Sequence, residues 1–316
     1  MTKYVGVDVS KESFDGYCPD LGNRQFSNDA TGFKVFGKWI GDSVHVVMEA
    51  SGPYYLQLAT YLHESGIPVS VVNPLVIRRF CQMKLQRAKT DSKDAMAICQ
   101  FAQMTNPKVW VPAPQHLQQM LQMQAVMEQL RKQLTATNNI MRSFDHHPTV
   151  DERAVKSLRR VAEEQQHQIQ ELEKQIMELT KKNYQAEFDA LVSIPGIGTK
   201  TATILITATD AFTKFETAKQ LVAYAGLAPR IFQSGKSINK KPKISKLGMG
   251  DLRRSLFMCA FQAIKNNAGC KTLYERLRAK GKAAKIALIA VCHKLLRQAF
   301  AIVKNKISYV AELSLG

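Results

Sequence analysis

Between Met120 and Leu179 apolar side chains recur every seven residues, a repeat that commits this part of the chain to long paired helices. Met120, Met127, Leu134 and Met141 form one seam of the first stretch, and Met123, Leu130, Thr137 and Phe144 the other. The pattern breaks at His147, Pro148 and Thr149. It resumes with Val155, Ala162, Ile169 and Ile176 in one seam and Leu158, Gln165, Leu172 and Leu179 in its companion. Met and Gln at such positions specify a partner weakly, so the pattern serves equally a hairpin within one chain or a contact between subunits. We expect it to space two domains and to aid oligomerisation.

Upstream the periodicity is of another kind. Residues 4–10 alternate as a strand, and strands at 12–18 and 24–28 follow across Pro19, Asp20, Gly22 and Asn23, which suit tight turns. Residues 31–40, 54–64 and 75–84 read as helices, and 44–50 and 68–73 as strands. Residues 91–104 form a clearer helix with Ala95, Ile98, Cys99 and Ala102 as its apolar stripe. Three hairpin-linked strands followed by helix and strand units predict a mixed sheet with helices on both faces. No GxGxxG follows the first strand, which argues against a dinucleotide site. Prolines at 107, 112 and 114 mark a boundary. The expected domains are 1–110, a helical spacer at 111–186, and 187–316.

The chain has 316 residues, with 44 Lys and Arg against 26 Asp and Glu, a formal charge of +18. That length buries sizeable cores and excludes both a stapled mini-protein and a mostly disordered chain. Charge of this size favours a polyanionic partner, nucleic acid before an anionic membrane surface. The six Cys form no CxxC pair, which argues against a structural zinc site or a redox motif and fits a reducing cytosol. The N-terminus opens on a strand-like run rather than a secretion signal. No uninterrupted apolar run approaches the roughly 20 residues of a membrane span, and residues 283–291 read as a buried helix face. The expected location is cytoplasmic, with no membrane partner.

Four carboxylates carry the sharpest chemical signal. Asp8 lies near the centre of the first strand, Glu49 near the end of the fourth, and Asp91 and Asp94 at a helix start in KTDSKDA. Their spacing puts Asp91 and Asp94 on one helical face, where a helix start tolerates negative charge. If the sheet pairs the first and fourth strands, Asp8 and Glu49 come side by side and the four groups converge at one edge. Clustered carboxylates repel, and a hard divalent cation, Mg2+ or alternatively Mn2+, relieves that cost. Two such ions about 4 Å apart hold a phosphodiester and stabilise charge on its attacking and leaving oxygens. An acid on an apolar strand is costly without a partner, which weighs against a purely structural Asp8. Asp91 or Asp94 alone would pass for a helix cap or a surface acid.

Residues 191–206, LVSIPGIGTKTATILI, read as helix, tight turn and helix, with Pro195, Gly196 and Gly198 in the turn. Such elements offer backbone N–H groups to a phosphate. Residues 230–254 then hold eight basic side chains, Arg230, Lys236, Lys240, Lys241, Lys243, Lys246, Arg253 and Arg254, against one acid, Asp251. Gly235, Pro242, Gly248 and Gly250 predict an irregular loop that follows a nucleic-acid backbone and delivers these cations to phosphates. Ser234, Ser237 and Ser245 in the same segment offer hydroxyl nucleophiles. No Ser-His-Asp arrangement activates any of them, so a metal cluster or a basic side chain would prepare the hydroxyl. The residues alone do not choose among the three. Helices follow at 252–266 and 282–303, and further Lys and Arg there extend a surface suited to DNA or structured RNA.

Taken in order, YVGVDVSKESFD, VVMEASGPYY, VSVVNP, KTDSKDA, LVSIPGIG, FETAKQLVAYAGLAPRIFQSGKS and ISKLGMGDLRRSLFMCA resemble the DEDD transposases of bridge-RNA-guided insertion sequences. The related Piv-type site-specific DNA invertases share the pattern, and the resemblance covers nearly the whole chain. It implies an α/β ribonuclease H-like (RuvC-like) domain, a long helical coiled-coil insertion and a mainly helical C-terminal transposase domain. By resemblance, Asp8, Glu49, Asp91 and Asp94 are the acidic tetrad that binds Mg2+ or Mn2+, and Ser234, in FQSG, is the nucleophile. The implied chemistry is a transient phosphoserine link to double-stranded DNA at an element junction and its target. A noncoding bridge RNA, homodimers assembling to homotetramers, active sites shared between subunits, and a bacterial, nucleoid-associated location are implied as well. Three alternatives stand beside this reading: an invertase acting on inverted sites without a guiding RNA, a RuvC-like nuclease that uses water, and a noncatalytic nucleic-acid scaffold.

Overall fold

The computed structural model describes residues 3–85, 91–234 and 238–310, of which 91–92 and 231–242 by backbone alone. The chain divides into two compact units, residues 1–113 and 114–316.

In unit 1, β1 (Lys3–Val9), β2 (Ser13–Cys18) and β3 (Gly22–Ser27) form the antiparallel meander that the turn residues predict. After α1 (Ala30–Ile40), β4 (Val44–Glu49) joins β1 in parallel. After α2 (Tyr55–Glu64), β5 (Val69–Val72) joins β4, also in parallel. The sheet order is therefore β3-β2-β1-β4-β5. α3 (Pro74–Met83) and α4 (Asp91–Thr105) follow.

Helices cover both faces of this sheet, so its central strands read as nearly continuous apolar runs. On one face Val5, Val7, Phe14 and Met48 pack with Phe33 and Phe36 of α1 and Leu58 and Leu62 of α2. On the other, Tyr4, Val47 and Val72 pack with Ile77 of α3 and Ile98 and Cys99 of α4. Gly6 lets α4 approach this closely, since a Cβ there would stand 2.1 Å from the Ala95 carbonyl oxygen and 2.4 Å from the Cys99 nitrogen. Side chains alternate along a strand, so Asp8 lies on the same α4-covered face as Gly6. The arrangement is the mixed α/β one expected of a ribonuclease H-like domain. The proline-bearing segment closes the unit: the Trp110 N–H donates to the Val69 carbonyl at 2.6 Å, and Ser70 Oγ donates to the Lys108 carbonyl at 2.7 Å.

Unit 2 begins with the heptad segment. α5 (Gln115–Phe144) and α6 (Glu152–Val192) pack as an antiparallel hairpin in which Met120 and Met127 meet Ile169 and Ile176. The seams thus face each other within one chain. α6 bends at Tyr184, whose backbone leaves the helical region (φ −140°, ψ 38°). The Tyr184 hydroxyl donates to Asp210 Oδ1 at 2.7 Å, so it accepts from His116 Nε2, 3.0 Å away.

α7 (Thr199–Thr209) is buried along its whole length from Thr201 to Thr209, as suits a helix at the centre of a domain. Around it lie α8 (Ala218–Tyr224), α9 (Gly250–Asn266), α10 (Ala268–Ala279) and α11 (Ala284–Asn305). The α6–α7 turn is the predicted one. Its Gly196 takes φ 108° and lies against α9, where a Cβ would come within 2.7 Å of Ala263 Cβ, so close packing accounts for this glycine. By length and hydropathy α11 is long and apolar enough to cross a membrane. Here Leu288, Val291, Leu295 and Leu296 bury its apolar face in the core of unit 2.

The basic segment departs from the expected irregular loop. β6 (Pro229–Ser234) and β7 (Ile238–Ile244) pair as an antiparallel ribbon. The register slips between Arg230↔Lys243 and Phe232↔Lys240, where β7 carries one residue more. Pro242 falls in that bulge. A two-stranded ribbon has no interior strand, so a residue without an N–H is tolerated there, and Ile231, Phe232, Ile238 and Ile244 favour extended backbone.

Candidate functional site

The β1–β4 pairing is the one on which convergence of the carboxylates depends. Val7 pairs with Met48, and the next step along both strands brings Asp8 beside Glu49. Glu49 ends β4, and its Oε1 accepts a hydrogen bond from Ser51 Oγ at 2.7 Å. Asp91 opens α4, and Asp94 lies one turn further on, four residues before the sheet-packed Ile98. Burial pushes the Cys81 thiol of α3 upward in pKa, and the negative charges of Asp94 and Glu49 add to that shift. Asp8, Glu49 and Asp94 are all half-buried. The Asp91 carboxylate lies outside the described side chains.

A further carboxylate escaped sequence reasoning. Asp8 pairs across the β1–β2 ladder with Asp15. Directly opposed residues of an antiparallel pair share a face, so Asp15 also lies on the α4 side. It is only 9% exposed, and its Oδ2 accepts from Gln25 Nε2 at 3.1 Å. The available signal was the tight turn at Lys11 and Glu12, closed by the Ser10 N–H donating to the Ser13 carbonyl at 2.9 Å. Turn length sets register, and that register puts Asp15 opposite Asp8.

Carboxylate oxygens are the donors Mg2+ and Mn2+ take, and Asp8 and Glu49 lie toward the ends of two paired parallel strands, so the donor chemistry fits such an ion. Among the described residues no three Asp, Glu, His or Cys side chains stand close enough together to hold a metal. The Asp91 carboxylate is not among those described.

In unit 2, Ser234 is the last residue of β6, paired with Ile238. Lys236 and Ser237 lie outside the described residues, and Ser234, Lys240 and Lys241 are described by backbone only. Ser245 sits at the other end of the ribbon, its N–H donating to the Ala228 carbonyl at 2.9 Å. Lys243 and Lys246 are exposed. Arg253 Nη1 donates to the carbonyls of Ala225 at 3.0 Å and Gly248 at 3.3 Å, and Arg254 Nη1 pairs with Asp251 Oδ1 at 2.7 Å. Arg253 would have to leave two backbone carbonyls to reach a phosphate.

Two family profiles match the chain: a DEDD transposase profile of the IS110 type over residues 5–144, and one described as "Transposase IS116/IS110/IS902 family" over residues 189–275. The first covers the sheet with its carboxylates, and the second covers the β6–β7 ribbon. Over 96% of both chains the protein is 30% identical to the pilin gene-inverting protein of Moraxella bovis, and the same figures hold for that of Moraxella lacunata. It is 26% identical to the transposase for insertion sequence element IS1328 of Yersinia enterocolitica, over 81% of this chain and 82% of that one. The chain belongs to the IS110 family of DEDD transposases, the enzyme family that includes the pilin gene-inverting proteins.

Proposed function

We propose that the protein is a DNA recombinase that breaks and rejoins strands through Ser234, with the help of divalent cations held by Asp8, Glu49, Asp91 and Asp94. The observation that supports this reading is the parallel pairing of β1 with β4, whose register runs on toward Asp8 and Glu49, with α4, the helix of Asp94, packed on the same face of the sheet. Bound Mg2+ or Mn2+ would neutralise these carboxylates and stabilise the charge that develops on a phosphodiester.

The chemistry of the chain itself then follows. Ser234 Oγ attacks phosphorus and gives up its proton. The phosphorus–oxygen bond to one DNA end breaks, and the released DNA hydroxyl takes up a proton. A second DNA hydroxyl later attacks the phosphoserine, forms the new phosphodiester and returns the serine hydroxyl. One phosphoester replaces another at each step, so rejoining consumes neither water nor a nucleotide. Lys240, Lys241 and Lys243 lie along the same ribbon as Ser234 and Lys246 follows just past its end, where they would hold the DNA backbone.

Double-stranded DNA is the substrate, and the formal charge of +18 supports a polyanion. The pilin gene-inverting relatives, matched over nearly their full length, support inversion between paired sites, whereas the IS1328 relative supports transposition. Both are strand exchange by one chemistry. Guidance by a bridge RNA, dimers that pair as tetramers and a cytoplasmic, nucleoid-associated location are carried over from the family resemblance.

The test is joint formation by purified protein on a plasmid carrying the DNA that flanks its gene, with and without RNA transcribed from that flank. Wild-type protein with Mg2+ should give recombinant joints, Ser245→Ala should retain them, and Ser234→Ala and Asp8→Asn should give none. Joints formed by Ser234→Ala would sink the proposal. Cleavage without joints at an unchanged rate in that variant would mark a nuclease that uses water.

A further inference from the structure

Beside the root of the ribbon, unit 2 holds an open groove of about 1230 Å³. Small-molecule clefts run to roughly 300–1,000 Å³, so the groove is generous for a metabolite and suits a segment of polymer. Its floor is aliphatic, built from Leu227, Leu273, Ile286, Ile289 and Ala290. Its rim is cationic: Lys243 and Lys246 come from the ribbon side, Arg276 from α10, and Lys285, Lys294 and Arg297 from α11. Among the described residues no carboxylate lines it. Ile286 is 58% exposed, an unusual position for a large aliphatic side chain beside so much charge.

We propose that this groove takes an unpaired strand of the DNA substrate, bases against the aliphatic floor and phosphates on the cationic rim. A fully paired duplex turns its bases inward and offers an outer surface of phosphate and sugar, which would meet the rim and leave the floor idle. An unpaired strand offers anionic phosphates and apolar base faces together, the two chemistries the groove combines. Position favours DNA over an acidic protein helix. Pro229, Lys243 and Ile244 line the groove, and Ser234 lies five residues along β6 from Pro229, roughly 17 Å of strand. A strand leaving the attacked phosphate along the ribbon reaches the groove within a few nucleotides. On α11, Lys285 and Lys294 are separated by roughly 14 Å of helix, enough to engage phosphates of successive nucleotides. Among the described residues no Phe, Tyr or Trp lines the groove and His293 supplies its only aromatic ring, so bases rest mainly on aliphatic carbon.

The choice of DNA rests on the recombinase reading above. The test reads binding alone, so the groove and the serine chemistry fail separately. Fluorescence anisotropy of full-length protein would compare a short single-stranded DNA oligonucleotide, the same sequence as duplex, and the same sequence as RNA. Lys285→Glu with Lys294→Glu should weaken single-stranded DNA by about tenfold or more. Ile286→Asp, at an exposed position where folding is retained, should weaken it about tenfold while duplex affinity moves less than about threefold. Circular dichroism would confirm that each variant folds. Three outcomes would overturn the proposal: single-stranded affinity unchanged in Ile286→Asp, duplex affinity falling as far as single-stranded, or RNA bound more tightly than DNA with the same dependence on Ile286.

Discussion

Asp8 and Asp15 face each other across the β1–β2 ladder, two carboxylates on the sheet face that α4 covers. Like charges directly opposed on a sheet cost about 0.5 kcal/mol, and a cation beside them reverses the sign. Asp15→Asn should therefore raise the metal-free Tm slightly, by about 1–2 °C. Added Mg2+ or Mn2+ should raise the Tm of the wild type more than that of the variant. Thermal unfolding in chelator and in excess metal reads both effects. Equal metal-induced shifts would remove Asp15 from the account.

Gly6 sets the distance between β1 and α4, and through it the approach of Asp94 to the sheet edge. A methyl group there meets backbone atoms, the Ala95 carbonyl and the Cys99 nitrogen, which have no rotamer to yield. Gly6→Ala should cost about 3 kcal/mol or more, read as a fall in Tm of roughly 10 °C or more. A near-wild-type Tm would show that α4 slides freely, and the close approach would lose its meaning.

Much of this architecture was legible because two periodicities do not overlap. Alternation with turn residues at Gly22 and Asn23 marked the meander, and seven-residue spacing from Met120 marked the hairpin. The parallel pairing of β1 with β4 was only a condition in the sequence. Strand register is a long-range property, and here packing on both faces settles it. Asp15 was missed for the same reason, since its significance lies in what it opposes. The ribbon was misread because Pro242 is a local signal of irregularity, whereas a two-stranded sheet with a bulge accommodates it. The functions of Arg253 and Arg254 were read from charge alone, and charge does not reveal that carbonyls and Asp251 already engage them.

His45 supplies a pH dependence. It is buried on β4, and its Nε2 lies 2.8 Å from Ser70 Oγ, which itself donates to a backbone carbonyl. The ring nitrogen is therefore the donor. Burial holds the His45 pKa below its ordinary 6.5, so the unfolded chain binds a proton that the folded one refuses. Its contribution is intact above pH 6.5 and is lost as pH falls through that value. The Tm should drop between about pH 7 and 5, less steeply in His45→Gln. Identical slopes for the two proteins would exclude His45 as the source.

Tyr184 joins three helices of unit 2 at the bend in α6, through Asp210 and His116. Tyr184→Phe leaves both partners without the shared hydroxyl and should cost about 1–3 kcal/mol. Hydrogen exchange should quicken in α6 around the bend and in the first turn of α5. Unchanged Tm and exchange would mean that the hydroxyl holds nothing together.

Trapping the protein on labelled DNA under denaturing conditions and sequencing the attached peptide by mass spectrometry identifies the nucleophile. A metal-dependent adduct should form on Ser234 and be absent when Asp8 or Glu49 is an amide. An adduct on Ser245 or another residue, or cleaved DNA with no attached protein at all, would contradict Ser234 as the nucleophile.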